Sequence, residues 1–244
     1  MNILEKVKKL IQYYNQGLLG GEFMPEDSKP DFSKSSEECY IYFTLPMALN
    51  YQRNSYKLWE SAFKTYQDNK TNFVFNPYKV TSCSEEKLRD SLISYKVALQ
   101  PNKQPIIWQT LCKTFTRDFG GSIKTFFEKF DYDVVLIKEY IGSHKKDFPY
   151  LSGTKILNYW LYVISNYTDV KLKNKSEISI APDTHVLQAS VKLGVISKDE
   201  LSKSDIREIT AKRWKDILKG SGIDPIDIHT PFWLWSRNGF KVKI

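Results

Sequence analysis

The chain has 244 residues, 41% of them hydrophobic and 14% aromatic, which is ample for a buried core and excludes a disordered chain. Its 36 lysines and arginines outnumber 28 aspartates and glutamates, giving a net charge of +8. A polyanion is the natural partner of such a surface, and a basic protein from a lysine-rich cell is the plain alternative. No run of about 18 apolar residues occurs, so no membrane span is expected. Met1-Asn-Ile-Leu-Glu-Lys6 begins an amphipathic helix and lacks the apolar core of a signal peptide.

In chain order, Ile3, Val7, Leu10 and Tyr14 share a helical face over residues 2–15. Gly17 to Lys34 is a break, with Gly20-Gly21, Pro25 and Pro30 in a polar stretch. Cys39 to Leu49 is apolar and fits a strand or a helix, with Pro46 placed to kink or begin one. A helix is expected from Ala48 to about Tyr66, carrying Gln52. Asn69 to Ser84 reads as a loop with a short strand pair at Phe73–Phe75 and Lys79–Thr81. Glu85 to Leu99 places Leu88, Leu92, Tyr95 and Leu99 on one helical face.

Pro101 to Pro105 is a linker, and Ile106 to Arg117 is a helix stopped by Gly120-Gly121. Ser122 caps Ile123–Phe130, and Asp133 opens Val134–Ile141. A turn at Gly142–Asp147 carries Lys145 and Lys146. The polar run Tyr167–Ser176 has lysines at 171, 173 and 175, a solvated excursion that can also touch phosphate. Ser197 and Glu200 form a capping box, and Asp205 starts Ile206–Leu218, which Gly220 and Gly222 end. The tail from Asp227 to Arg237 is dense in aromatics. The fold class is mainly α, with few strand candidates and no internal repeat.

Two stretches carry chemistry. In Pro149-Tyr-Leu-Ser-Gly-Thr-Lys155, Ser152 is placed to cap a helix and Gly153 to supply the bend. Lys155 then falls in the first turn, where the helix dipole disfavours an ammonium and favours a neutral amine. Neutral lysines are nucleophiles that form Schiff bases. In Ala181-Pro-Asp183-Thr-His-Val186, Asp183 stands where an N-cap belongs. The chain thus offers an amine and a carboxylate, each at a helix start. Tyr159, four residues after Lys155, shares its face and offers a ring for stacking, with Trp160 as the neighbouring option. The histidines at 144, 185 and 229 and the cysteines at 39, 83 and 112 are scattered. They suggest no metal site and reduced thiols in a cytosolic protein.

These residues resemble the helix-hairpin-helix DNA glycosylases with a Gly/Pro-Asp loop. The Gly-Thr-Lys turn and the Pro-Asp-x-His-Val segment are most similar to the 8-oxoguanine glycosylase/apurinic lyases. Asp183 follows Lys155 by 28 residues, a spacing closer to the archaeal branch. The hairpin of that family usually reads Gly-x-Gly-x-Lys, and here Ser or Leu stands at the first glycine.

The resemblance implies a two-lobed fold with its cleft between lobes, the middle lobe spanning about 85–180 and residues 1–244 forming one glycosylase unit. It implies removal of an oxidised purine, with Lys155 attacking the sugar C1′ and Asp183 assisting. Gln52 would read the base edge, and Tyr159, Trp160, Trp233 and Trp235 would line the base pocket. The amides near Ser152, Gly153 and Thr154, with Lys145 and Lys146, would hold phosphate. No cofactor is implied, and the lack of a cysteine cluster argues against the iron–sulfur branches of the superfamily. The partner is duplex DNA with a damaged base, bound by a monomer in the cytoplasm or on the nucleoid. The alternatives are a glycosylase without lyase activity and a non-catalytic basic nucleic-acid-binding protein.

Overall fold

The computed structural model of the chain describes residues 1–20 and 23–244. Gly21, half of the expected Gly20-Gly21 break, lies outside the described residues. The chain is mainly helical, and among the described residues there is no strand, only an isolated bridge between Asp133 and Lys173. In chain order the α-helices are α1 (Ile3–Asn15), α2 (Glu37–Thr44), α3 (Ser55–Gln67), α4 (Pro77–Ser82), α5 (Glu85–Ser94), α6 (Gln104–Phe119), α7 (Ile123–Lys129), α8 (Val134–Ser143), α9 (Thr154–Tyr167), α10 (Thr184–Lys192), α11 (Ile206–Leu218) and α12 (His229–Arg237). Two compact units result. One comprises Met1–Phe23 with Asn174–Ile244, and the other Met24–Lys173. No helix among the described residues is long and apolar enough to cross a membrane.

The split unit holds α1 and α10 to α12. α1 opens with a capping box: Asn2 accepts from the Glu5 amide, and Glu5 accepts from the Asn2 amide, both at 2.9 Å. Its buried face, Val7 and Leu10, belongs to a helix that packs on α12. α12 also packs along α10, and Trp214 of α11 meets Phe232 edge-on at 4.9 Å. The fully buried Trp214 indole donates to Ser190 Oγ at 2.8 Å, so its N–H is not left unpaired. The expected capping box at Ser197 and Glu200 is present, with bonds of 2.8 and 3.2 Å. α11 has the expected bounds, and Gly220 and Gly222 follow it with φ of +73° and +76°.

The continuous unit holds α2 to α9 around an aromatic core of Trp59, Trp108, Trp160, Tyr42, Phe43 and Phe115, all fully buried. Offset and edge-on ring pairs such as Tyr42–Phe75 at 5.5 Å and Phe115–Phe148 at 5.8 Å add about 1 kcal/mol each beyond their area. The expected caps Ser122 and Asp133 accept from the first-turn amides of α7 and α8, and Ser84 does the same for α5.

One open reading is resolved in this unit and three expectations are corrected. Cys39–Leu49 is α2 followed by a 3-10 turn at Pro46–Leu49, and Cys39 to Thr44 are buried all round, so no helical period shows. The helix expected from Ala48 starts only at Ser55, because Asn50–Asn54 forms a turn and Asn54 caps α3. The strand pair at 73–81 is a 3-10 turn (Asn72–Phe75) and α4, capped by Asn76 with Pro77 in its first turn. α5 stops at Ser94 rather than Leu99. Lys96 turns left-handed (φ +62°), and Tyr95 and Leu99 are exposed.

Candidate functional site

In the continuous unit, α8 and α9 are joined by a turn over residues 144–153. Lys155 is exposed and lies in the first turn of α9, as expected from the sequence. The cap differs from expectation. Gly153, not Ser152, is the N-cap residue, and it has no side chain to offer the helix amides. Ser152 and Gly153 donate their own amides within the turn, to the carbonyls of Phe148 (2.9 Å) and Tyr150 (3.0 Å). Those two amides are therefore committed to the turn. The amides of Thr154, Lys155 and Ile156 open the helix, where geometry supplies no intrahelical acceptor. The buried Asn158 braces this turn: its amide donates to the Thr154 carbonyl at 2.7 Å and its Oδ1 accepts from Lys138 of α8 at 3.3 Å.

The left-handed position of the turn is Tyr150, with φ +63°. Such a conformation favours glycine, and here a tyrosine holds it. Gly153 has ordinary φ, and its role is steric: a Cβ there would sit 3.2 Å from the Tyr150 carbonyl oxygen. Gly153→Ala is expected to cost about 1 kcal/mol through this crowding and a poorer cap, read as a lower urea midpoint. An unchanged midpoint would refute the close approach.

Tyr150 has company. Its ring lies 5.7 Å from that of Tyr51, which is 52% exposed, and the Lys103 ammonium stands 5.2 Å from its centroid. Gln52, next to Tyr51, is exposed and also left-handed (φ +50°). It lies in a turn, not on a helix as expected. Arg53 pins that turn by donating to the carbonyls of Val97 (2.6 Å) and Lys96 (3.0 Å). Burial lowers the Arg53 pKa to about 10, which leaves it a cation at neutral pH. The turn carrying Gln52 and the turn leading to Lys155 therefore meet through the two tyrosines. Lys145 and Lys146 are exposed in the same linker, beside a half-buried Asp147 paired with Arg117 at 3.2 Å.

The two aromatic candidates on α9 have different environments. Trp160 is fully buried; its indole donates to Thr44 Oγ1 at 3.0 Å and its ring packs on Phe127 at 5.4 Å. It is core and offers no face to a ligand. Tyr159 is half-buried, and its hydroxyl donates to Glu26 Oε1 at 3.0 Å. Glu26 is 1% exposed, and the Trp59 indole donates to the same oxygen at 3.0 Å. Burial pushes the Glu26 carboxyl up to about 7, although these hydrogen bonds oppose the shift. Burial, then the neighbouring carboxylate, pushes the Tyr159 hydroxyl well above the usual tyrosine range.

In the split unit, Asp183 is the N-cap of α10, accepting from the Val186 amide at 2.9 Å through Oδ1. His185, two residues on, meets Trp233 of α12 edge-on at 5.7 Å and lies 3.2 Å from Ser236 Oγ. Trp233 is half-buried, with the exposed Arg237 guanidinium 4.7 Å from its ring centroid. Trp235 is 3% exposed, and its indole donates to the Val242 carbonyl at 2.8 Å. With Val242 it lines two open grooves of about 290 and 360 Å³, the larger of which also has Lys6, Lys192 and Lys243 in its lining. Lys173 and Lys175, from the expected polar excursion, are paired with Asp131 (2.6 Å) and Asp227 (2.8 Å) in their own units.

Sequence reasoning missed Glu26, Tyr51, Lys103, Arg53, His185 and Arg237. His185 stood inside the quoted Asp183 segment, and Arg237 falls one helical turn after Trp233. The others are assembled by contacts between distant segments. No family model matches the chain, and no match to a curated protein was found.

Proposed function

We propose that the protein is a DNA base-excision glycosylase of the helix-hairpin-helix type that removes an oxidised purine, with 8-oxoguanine first among them, and then cleaves the strand as an apurinic lyase. The observation that carries this reading is the exposed Lys155 in the first turn of α9, at the end of a tight turn braced by Asn158 and flanked by the half-buried Tyr150 paired with the exposed Tyr51. Excision needs the nucleotide out of the stack and a carboxylate near the cation-like sugar. Asp183 is the carboxylate in this reading, and its capping bond leaves Oδ2 for that work. An amine at Lys155 then traps C1′ as a Schiff base with loss of the base, which permits β-elimination.

Tyr51, Tyr150 and Lys103 supply aromatic faces and a cation of the kind that grips an unpaired base and its phosphate. Gln52, exposed beside them, offers an amide for a purine edge. Trp233 with Arg237 offers a second such pair in the other unit. The net charge of +8 suits a DNA partner.

The test is incubation with a duplex carrying one 8-oxoguanine in the presence of borohydride. A covalent protein–DNA adduct is expected; neither adduct nor base release on any oxidised purine would overturn the reading. Binding adds a separate check. The Lys145→Gln, Lys146→Gln double variant should lower the slope of log K against log salt by about 2, at ~0.9 per phosphate lost. An unchanged slope would remove both lysines from the DNA contact.

A further inference from the structure

The mechanism above leaves unused a buried carboxyl that touches its central helix. Glu26 sits in a short 3-10 turn (Pro25–Asp27), in a stretch the sequence marks only as a break. It is enclosed by two elements. From α3 comes the fully buried Trp59 indole, and from α9 the Tyr159 hydroxyl, each 3.0 Å from Oε1. Next to it, Asp27 accepts from the Tyr167 hydroxyl at 2.8 Å and from the Met24 amide at 2.7 Å. The titratable groups facing Glu26 are thus Asp27 on its own turn and Tyr159 and Tyr167 on α9, with the ring of Tyr162 6.1 Å from that of Tyr159.

An indole and a phenol can be satisfied by a backbone carbonyl or an amide oxygen. A carboxyl in this place adds one property those lack, a proton that can leave. When charged, Glu26 holds both donors with charge-assisted bonds, which are about twice as strong as neutral ones. When neutral, Oε1 is an ordinary carbonyl acceptor and the grip on Tyr159 loosens. Tyr159 lies one helical turn after Lys155 on the same face.

We propose that Glu26 is a positioning residue that sets the Tyr159 ring through its hydroxyl, and that the charge on this carboxyl is the variable by which solution pH acts on the face of α9 that carries Lys155. The inference rests on Lys155 being the nucleophile.

Two readouts test it. In the first, the yield of the borohydride adduct is followed against pH for wild type, Glu26→Gln and Tyr159→Phe. The wild-type profile is expected to carry an inflection near pH 7 that is lost in both variants, while dependence on Lys155 persists. Tyr159→Phe keeps the ring and the fold's apolar contact, so it serves if the glutamine variant folds poorly. The second readout needs no DNA: a Tyr159 ring signal, followed by NMR on tyrosine-labelled protein, should titrate near pH 7 in wild type and stay flat in Glu26→Gln. A titrating signal supports the Glu26–Tyr159 coupling even where no lesion yields an adduct, an outcome that counts against the glycosylase reading alone. A flat wild-type signal, or a wild-type pH profile in both variants, overturns the proposal.

Discussion

Adduct formation on the 8-oxoguanine duplex is expected to fall at least about a hundredfold in Lys155→Gln, equivalent to a loss of roughly 3 kcal/mol of transition-state stabilisation. The side chain is exposed, so the same substitution should change stability by no more than about 0.5 kcal/mol. Chemistry and folding are thereby separated at this position. Asp183 needs two substitutions for the same separation, because it caps α10 as well. Asparagine caps nearly as well as aspartate but carries no charge. Asp183→Asn should therefore keep the stability of the split unit and lower base release about a hundredfold. Asp183→Ala should add a stability loss of about 1 kcal/mol. Wild-type trapping by Lys155→Gln would displace the nucleophile to another lysine. Wild-type release by Asp183→Asn would reduce Asp183 to a cap.

The second large effect concerns stability and has an unusual sign. Most carboxyls titrate lower in the folded state and stabilise at high pH. Glu26 is raised from 4.5 to about 7 by burial, so the folded state binds its proton more tightly than the unfolded chain does. Its contribution is fully present below pH 4.5, is lost as pH rises toward 7, and levels off above that. The full difference is about 3 kcal/mol, since each pKa unit is worth about 1.4 kcal/mol. Glutamine keeps an oxygen for Trp59 and Tyr159 and has no proton to lose. Glu26→Gln is thus expected to be more stable than wild type at pH 8 by up to about 3 kcal/mol, with the advantage gone at pH 4.5. Urea unfolding at both pH values measures this, and a difference between the two proteins that does not change with pH would refute the burial of a titrating carboxyl.

How much of this was legible in the sequence depends on the range of the interaction. Caps are local, and Ser122, Asp133, Asp183 and the Ser197–Glu200 box announced their helices. Asn54 and Asn76 carry the same signal and mark the true starts of α3 and α4, against the longer helix and the strand pair expected there. α2 hid for the opposite reason, since a helix buried on all sides has no polar face to set a period.

The first turn of α9 was placed correctly, but its cap was assigned to Ser152 because a serine is the better capping residue in general. The Tyr150 carbonyl, which would crowd any side chain at position 153, is a feature of the folded turn alone. Glu26 was beyond reach. Its partners stand 33 and 133 residues away, and nothing in a polar, proline-bearing stretch marks a carboxyl for burial.

The continuous unit is inserted into the sequence of the split one, and this has a consequence for synthesis on the ribosome. Every residue from Met24 to Lys173 is available once that stretch has emerged, so the inserted unit can close on itself while translation continues. α1 cannot do so. It is made before the inserted unit, yet its packing partner α12 is made after it. Between those moments the face of Val7 and Leu10, wholly buried in the finished protein, has no native cover. The nascent chain therefore presents a waiting amphipathic helix while the whole inserted unit is made, a natural target for holding chaperones and a place for premature aggregation.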